Sequence, residues 1–270
     1  GLSMYYADYH MHSSCSFDAE NTMIEMSGAS ASFGLREICF TDHCDMLDGE
    51  LKTAVSWSWD EIDSQYFRAL MGHGSEIKIK LGIELGNALS NISLAESIVS
   101  REALDFVIGS VHVLPDLGDC YDLEYTDEEY CNNVISRYIA ELERLAKWGK
   151  FDVMGHITYP LRYIRGRAGF KVDYGDFIPR IESLYRALIE NGRGIELNTS
   201  NLKNGGETMP YIELLELYKN CGGEIITLGS DAHRINDAGS GIPHGYDILG
   251  YCGFKYFTVF DHRTPQFIKL

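Results

Sequence analysis

The sequence predicts an α/β fold, most economically a single closed barrel of alternating strands and helices. Three observations carry that prediction. Short apolar, β-rich runs alternate with longer amphipathic ones seven or eight times along the chain, the pattern of a parallel sheet wrapped by helices. The chain has 270 residues, which matches the size of one such barrel. No stretch reads as a linker, a low-complexity tract or a repeat, so residues 1–270 are expected to form one domain. An open doubly wound sheet is the alternative arrangement of the same elements.

The elements follow in order. Tyr5–His10 is the first expected strand, and Asn21–Ser32 the first helix. Strand Arg36–Thr41 precedes helix Trp59–His73, strand Ile77–Leu85 precedes helix Ser93–Glu102, and strand Phe106–His112 precedes helix Asp127–Trp148. In that last helix Val134, Ile135, Tyr138, Ile139, Leu142 and Leu145 recur at three- and four-residue steps, which lines one face with apolar groups. Strand Asp152–His156, helix Asp176–Glu190, strand Gly194–Asn198 and helix Thr208–Asn220 continue the alternation. Strand Ile225–Ser230, a short helix at Gly245–Cys252 and strand Tyr256–Phe260 complete it. Asn191-Gly192 and Cys221-Gly222-Gly223 are expected helix stops. Pro115–Thr126 and Thr158–Gly175 read as loops longer than connections require, which in compact domains usually serve function.

Composition narrows the function. Hydrophobic residues make up 45% of the chain, enough for a sizeable core. Lys+Arg 23 against Asp+Glu 40 leaves a net charge of −17, which repels phosphate backbones and argues against a nucleic-acid polymer as partner. Any small anionic substrate then needs local positive charge, from metal ions or arginines. Seven cysteines with no CxxC pair fit a reduced, cytoplasmic setting better than a disulfide framework. No basic segment followed by an apolar run opens the chain, so no signal peptide is expected. Met4 is the expected native start, with Gly1-Leu2-Ser3 an added remnant. No apolar run approaches the length of a membrane span, so no membrane partner is expected.

The histidines locate the chemistry. Of nine, six fall at or just after expected strand ends: His10, His12, His43, His112, His156 and His233. Asp8, Asp42, Glu84 and Asp231 accompany them. In a parallel barrel those ends converge on one face. His10 and His12 are two apart on a strand and so share a face, as do Asp231 and His233. Asp42 suits either a helix N-cap or a partner that fixes an imidazole tautomer. Glu84 sits in an apolar strand and needs a cation, a salt bridge or a hydrogen bond. Gly109 and Gly155, shortly before His112 and His156, allow close approach to the backbone. Each element alone has a bland explanation, but together they favour divalent metal coordination by imidazole and carboxylate, with zinc, manganese or iron better suited than calcium or magnesium. His73 reads as a surface residue, and His244 and His262 as loop residues that can face the site.

Taken in order, DYHMH at 8–12, TDH at 41–43, GIE at 82–84, GSVH at 109–112, GH at 155–156 and SDAH at 230–233 resemble the PHP (polymerase and histidinol phosphatase) superfamily along nearly the whole chain. The resemblance implies a distorted (β/α)7 barrel with three divalent metal ions. It assigns the first ion to His10, His12, Glu84 and Asp231, the second to Glu84, His112 and His156, and the third to Asp18, His43 and His233. Some members carry His where this chain has Asp18. Within the superfamily SFDAE at 16–20, EICFTDH at 37–43, IELNTS at 195–200 and HITYPLRYIRG at 156–166 resemble the histidinol-phosphate phosphatases of histidine biosynthesis.

The activity so implied is hydrolysis of a phosphate monoester, most simply histidinol phosphate to histidinol and phosphate, by hydroxide drawn from the metal cluster. The expected proton donor to the leaving group is a water or a nearby acid, with Asp18, Asp42 and His233 unranked among themselves. Arg162 and Arg165, three apart, would share a helical face and could grip phosphate, although a solvated basic loop explains them equally well. Arg263 and Ser14 are further substrate-binding candidates, and Asn198, Asp122 and Glu124 are candidates for a polar pocket. Other readings keep the metals but change the substrate to a nucleotide or another small ester, or keep the barrel as an amidohydrolase. A non-catalytic metal-binding module is a third reading. A homo-oligomer is left open.

Overall fold

The computed structural model describes residues 4–52 and 57–270. The expected remnant at residues 1–3 lies outside them. Seven parallel strands form a nearly closed barrel, alternating with helices, in the order β1-β2-β3-β4-β7-β8-β9. The strands are β1 (Ala7–Met11), β2 (Glu37–Asp45), β3 (Lys78–Gly86), β4 (Phe106–Ser110), β7 (Val153–Met154), β8 (Gly194–Asn198) and β9 (Ile226–Gly229). Between β4 and β7 a two-residue ribbon pairs β5 (Val113–Leu114) with β6 (Gly118–Asp119). The helices are α1 (Met23–Ser32), α2 (Trp59–His73), α3 (Ile92–Val99), α4 (Glu128–Trp148), α5 (Tyr159–Gly166), α6 (Ile178–Glu190), α7 (Ile212–Asn220) and α8 (Ile242–Tyr251). Among the described residues none is long and apolar enough to cross a membrane.

The barrel closes between β1 and β9. The amide of Asp231 donates to the His10 carbonyl, and that of His12 to the Ala232 carbonyl, both at 2.8 Å. Asp8 reinforces the seam by accepting from the Ser230 amide and hydroxyl and the Gly239 amide. Every residue of β1, β4 and β8 is buried, as strands covered on both faces must be. Local signals start the helices. Thr22 and Glu25 form a capping box on α1, and the Asp127 side chain accepts from the Tyr130 amide at the start of α4.

Two expectations fail here. Tyr256–Phe260 is not a barrel strand: β10 (Tyr256–Asp261) pairs antiparallel with β11 (Thr264–Lys269), which the sequence reading missed. The turn between them puts His262 and Arg263 at positive φ, 47° and 66°, a two-residue hairpin geometry. This hairpin plugs the N-terminal end of the barrel, where Tyr9, Phe106 and Phe260 pack ring on ring. The second failure is α5, inside a segment expected to be loop. Its Pro160 looks like a breaker but sits in the first turn, where no intrahelical N–H is needed.

Candidate metal centre

Six imidazoles and three carboxylates converge at the C-terminal ends of the barrel strands. His10, His43 and Glu84 lie within β1, β2 and β3, and His12 lies just past β1. His112, His156 and Asp231 each lie two residues beyond β4, β7 and β9, and His233 follows on the same loop as Asp231. Asp18 arrives from the loop after β1. Asp231 adopts a left-handed backbone (φ 56°), an uncommon conformation for a residue with a Cβ.

These side chains form overlapping groups. His10 Nε2 lies 3.1 Å from Glu84 Oε1 and 3.2 Å from Asp231 Oδ1. His12 Nε2 lies 3.0 Å from the same Asp231 oxygen and 3.4 Å from Glu84 Oε1. The other Glu84 oxygen is 3.1 Å from both His112 Nε2 and His156 Nε2, which are 3.3 Å from each other. Asp18 Oδ2 stands 3.3 Å from His43 Nε2 and 3.3 Å from His233 Nε2. The His12 ring lies against those of both His43 and His233, with centroids 4.2 and 4.1 Å away.

The donor set fits divalent metal. Ligands about 2.1 Å from one ion stand roughly 3.0–3.4 Å from each other, and the distances above fall on that edge length. Two imidazole nitrogens facing one another and one carboxylate oxygen are hard to satisfy with protons alone, whereas a shared cation serves all three. The outward nitrogens support this arrangement. His10 Nδ1 donates to Glu196, His112 Nδ1 to Asp45 Oδ1 at 3.3 Å, and His233 Nδ1 to the Asp231 carbonyl at 2.7 Å. His12 Nδ1 meets Ser16 Oγ at 3.2 Å, and that hydroxyl donates to Asp42 Oδ1 at 2.7 Å. Each contact leaves Nε2 with its lone pair turned inward, the usual second contact of a metal-ligating histidine.

The protonation balance carries the same message. Burial alone would raise Glu84 and Asp231, yet both are held well below the usual carboxylate range, chiefly by His10, with His112 also lowering Glu84. Burial alone would lower His10, but Asp231, Glu196 and Glu84 push it well above the ordinary imidazole value. Glu84 and Asp45 do the same to His112. Asp18 is partly exposed in the cleft; desolvation raises it, but contacts from His233 and His43 pull it far down. Buried acids and imidazoles thus hold each other's charge, and metal ions would take the place of those protons.

A cleft of about 1090 Å³ opens over the cluster, lined among others by Ser14, Phe17, Asp18, Asp45, Tyr121 and Arg162. Arg162, on α5, reaches this rim and donates to Ser200 Oγ at 2.7 Å. The other substrate candidates fare differently. Arg165 shares the helix but turns away, donating to Glu207 Oε2 at 2.5 Å and to the Val172 carbonyl at 2.9 Å. It therefore lines a neighbouring cavity and not the cleft over the cluster. Arg263 is at the opposite end of the barrel, donating to the buried Asp152 at 2.6 Å and to the Val99 carbonyl at 3.1 Å. Asn198 is fully buried; its amide donates to Glu196 Oε1 and Asp231 Oδ2, so it steadies the cluster instead of facing substrate. Asp42 is enclosed beneath the loop at residues 13–16, where its carboxylate accepts from the Ser13 amide and the Ser13 and Ser16 hydroxyls. That position corrects its expected role as a proton donor to substrate. Its influence runs through Ser16 to His12. His262 lies with Asp105 and Asp261 in the closing hairpin region, and His244 is exposed on α8. Asp122 and Glu124 line a separate surface recess.

Sequence reasoning missed Glu196 and Asp45. Glu196 carried a usable signal, an acid between Ile195 and Leu197 in a buried strand, the same cue that pointed to Glu84. Asp45, two residues past His43 on β2, shares its face by strand alternation.

The PHP domain family matches residues 8–200. The chain belongs to the PHP family. The relatives of this PHP chain include the histidinol-phosphatase of Lactococcus lactis subsp. lactis, 28% identical over 256 residues and covering 94% of each chain. A protein of Thermotoga maritima named "probable histidinol-phosphatase" is 26% identical over 263 residues, covering 97% of this chain and 99% of its own. The crystal structure of histidinol phosphate phosphatase from Lactococcus lactis, complexed with zinc, L-histidinol and phosphate, superposes with a TM-score of 0.84 at 25% identity. That comparison covers 98% of this chain and 100% of the other.

Proposed function

We propose that this PHP chain is a metal-dependent phosphomonoesterase that converts histidinol phosphate to histidinol and phosphate. The observation that carries the reading is the sharing of Glu84. One of its oxygens faces the His10, His12 and Asp231 group, and the other faces His112 and His156. Such a bridge suits adjacent divalent ions acting on one phosphoryl group. The named relatives and the zinc, L-histidinol and phosphate complex supply the substrate.

His10, His12, Glu84 and Asp231 would hold the first ion, Glu84, His112 and His156 the second, and Asp18, His43 and His233 the third. Zinc, manganese and iron all suit these donors. When bound, the ions supply Lewis acidity that offsets phosphate charge and acidifies water. Glu196, Asp45 and the Asp42–Ser16 pair hold the imidazoles in the tautomer that leaves Nε2 free. Arg162 adds a fixed positive charge on the rim and grips a phosphate oxygen. Asp18 and His233 line the cleft, but Asp18 is held as a carboxylate and both would ligate the third ion, so the leaving alkoxide takes its proton from water.

The test is phosphate release from histidinol phosphate and from a panel of nucleotides by protein reconstituted with zinc or manganese. Turnover of histidinol phosphate with kcat/KM at least tenfold above every nucleotide supports the reading. A higher value on a nucleotide, or metal-loaded protein silent on every ester, refutes it.

A further inference from the structure

A chain of aromatic rings leads from the cluster to its outer wall. His156 packs on Tyr159 at 4.7 Å, and His112 meets the same ring edge-on at 5.6 Å. Tyr159 contacts Tyr163 at 5.3 Å, where the two hydroxyls bond at 2.9 Å, and Tyr163 contacts Tyr121 at 5.6 Å. Tyr121 is 59% exposed. It lines the cleft over the cluster and two neighbouring cavities, of about 720 and 410 Å³, so it stands where the three meet.

Tyr121 sits between β6 and α4, where the Cys120 amide donates to the His112 carbonyl at 3.1 Å, the Asp122 amide to the Asp119 carbonyl at 2.9 Å, the Tyr121 amide to Asp119 Oδ1 at 2.8 Å and the Tyr125 hydroxyl to the Cys120 carbonyl at 2.7 Å. From the side of α5 the segment is held by Arg167, just after that helix. Its two terminal nitrogens donate to the Tyr121 carbonyl at 2.6 Å and the Leu123 carbonyl at 3.0 Å. The same guanidinium lies 5.1 to 6.0 Å from the centroids of Tyr163, Tyr121 and Tyr125. A planar fork that bonds two carbonyls while stacking near three rings is a job for Arg and not for Lys.

We propose that Arg167 is a positioning residue that clamps the segment carrying Tyr121 onto α5 and so fixes the wall against which the organic part of the substrate packs. This rests on the phosphomonoesterase reading for the substrate, but the clamp itself does not. Losing the clamp frees the wall and weakens ground-state binding of the ester, while the phosphoryl chemistry at the cluster stays intact. KM for histidinol phosphate should rise about tenfold in Arg167→Ala, with kcat within about twofold of wild type and metal content unchanged. Inhibition by inorganic phosphate, which has no organic part, should not change. Arg167→Lys keeps the charge but loses the fork, and should resemble Arg167→Ala.

A second readout needs no substrate. Chymotryptic nicking after Tyr121 or Leu123 should accelerate about fivefold or more in both variants, because nicking follows local opening. Unchanged KM together with unchanged nicking overturns the clamp. So does a loss of metal with kcat and phosphate inhibition falling together, since that is general damage. Wild-type protein inactive on histidinol phosphate would sink the proposed function alone, and the nicking rates would still decide the clamp.

Discussion

Glu196 donates no ligand to the proposed ions, yet it bonds His10 Nδ1 and accepts from the His156 backbone amide at 3.0 Å, so it orients one imidazole and anchors the backbone that carries another. Glu196→Gln should lower metal affinity about 10–100-fold, as loss of such a partner typically does, measured by competition with a chromogenic chelator. Affinity equal to wild type would remove Glu196 from the account. Arg263→Ala should leave kcat and KM unchanged but lower stability by about 2–4 kcal/mol in denaturant unfolding, because Asp152 is left buried without its cation. At this scale the sequence pointed to the side chains that cluster and to Asp42 as a partner of an imidazole, but it missed Glu196 and Asp45. A histidine at a strand end advertises itself by type. Arg263 and Asn198 looked like substrate groups because polarity near a strand is visible in sequence, whereas which end of the barrel a side chain faces depends on pairings made over more than a hundred residues, as Arg263 with Asp152 shows.

At the scale of elements, the seam between β1 and β9 decides whether the first group of ligands forms. Gly229 lies where a Cβ would come within 2.3 Å of His10 Cβ and 2.6 Å of Glu196 Oε2. Gly229→Ala should therefore displace His10 and cut bound metal by at least one ion per chain, with circular dichroism still reporting a folded barrel. Full metal content in that variant would show that the seam yields without moving its ligand. Gly155 makes the same kind of allowance on the other side, with a Cβ site 2.6 Å from Ser110 Oγ. The seven barrel strands were legible because burial on both faces leaves plain apolar runs. Helix α5 and the β10–β11 hairpin were not. An eight-residue helix shows too few turns for a period, and Thr264–Lys269 has no buried residue and a proline in it.

At the scale of the molecule, a chain of net charge −17 concentrates buried acids and imidazoles in one place and uses each to hold the other's charge. In chelated protein the raised His10 and His112 contribute stability that is complete below the ordinary imidazole value of about 6.5 and is lost as pH rises through their higher folded values. The lowered Glu84 and Asp231 contribute stability present above the ordinary carboxylate range and lost as pH falls through their depressed values. Chelated protein should thus lose Tm from neutral to alkaline pH, and metal should restore it with release of protons. Calorimetry in buffers of different ionisation enthalpy checks both; proton uptake on metal binding would reverse the sign and refute this balance.

The most direct measurement is anomalous diffraction from crystals of the zinc-loaded protein. The account predicts strong peaks on either side of Glu84, one ringed by His10, His12 and Asp231 and the other by His112 and His156, with a further peak between Asp18, His43 and His233. Zinc bound elsewhere, with these nine side chains ligating nothing, would contradict it.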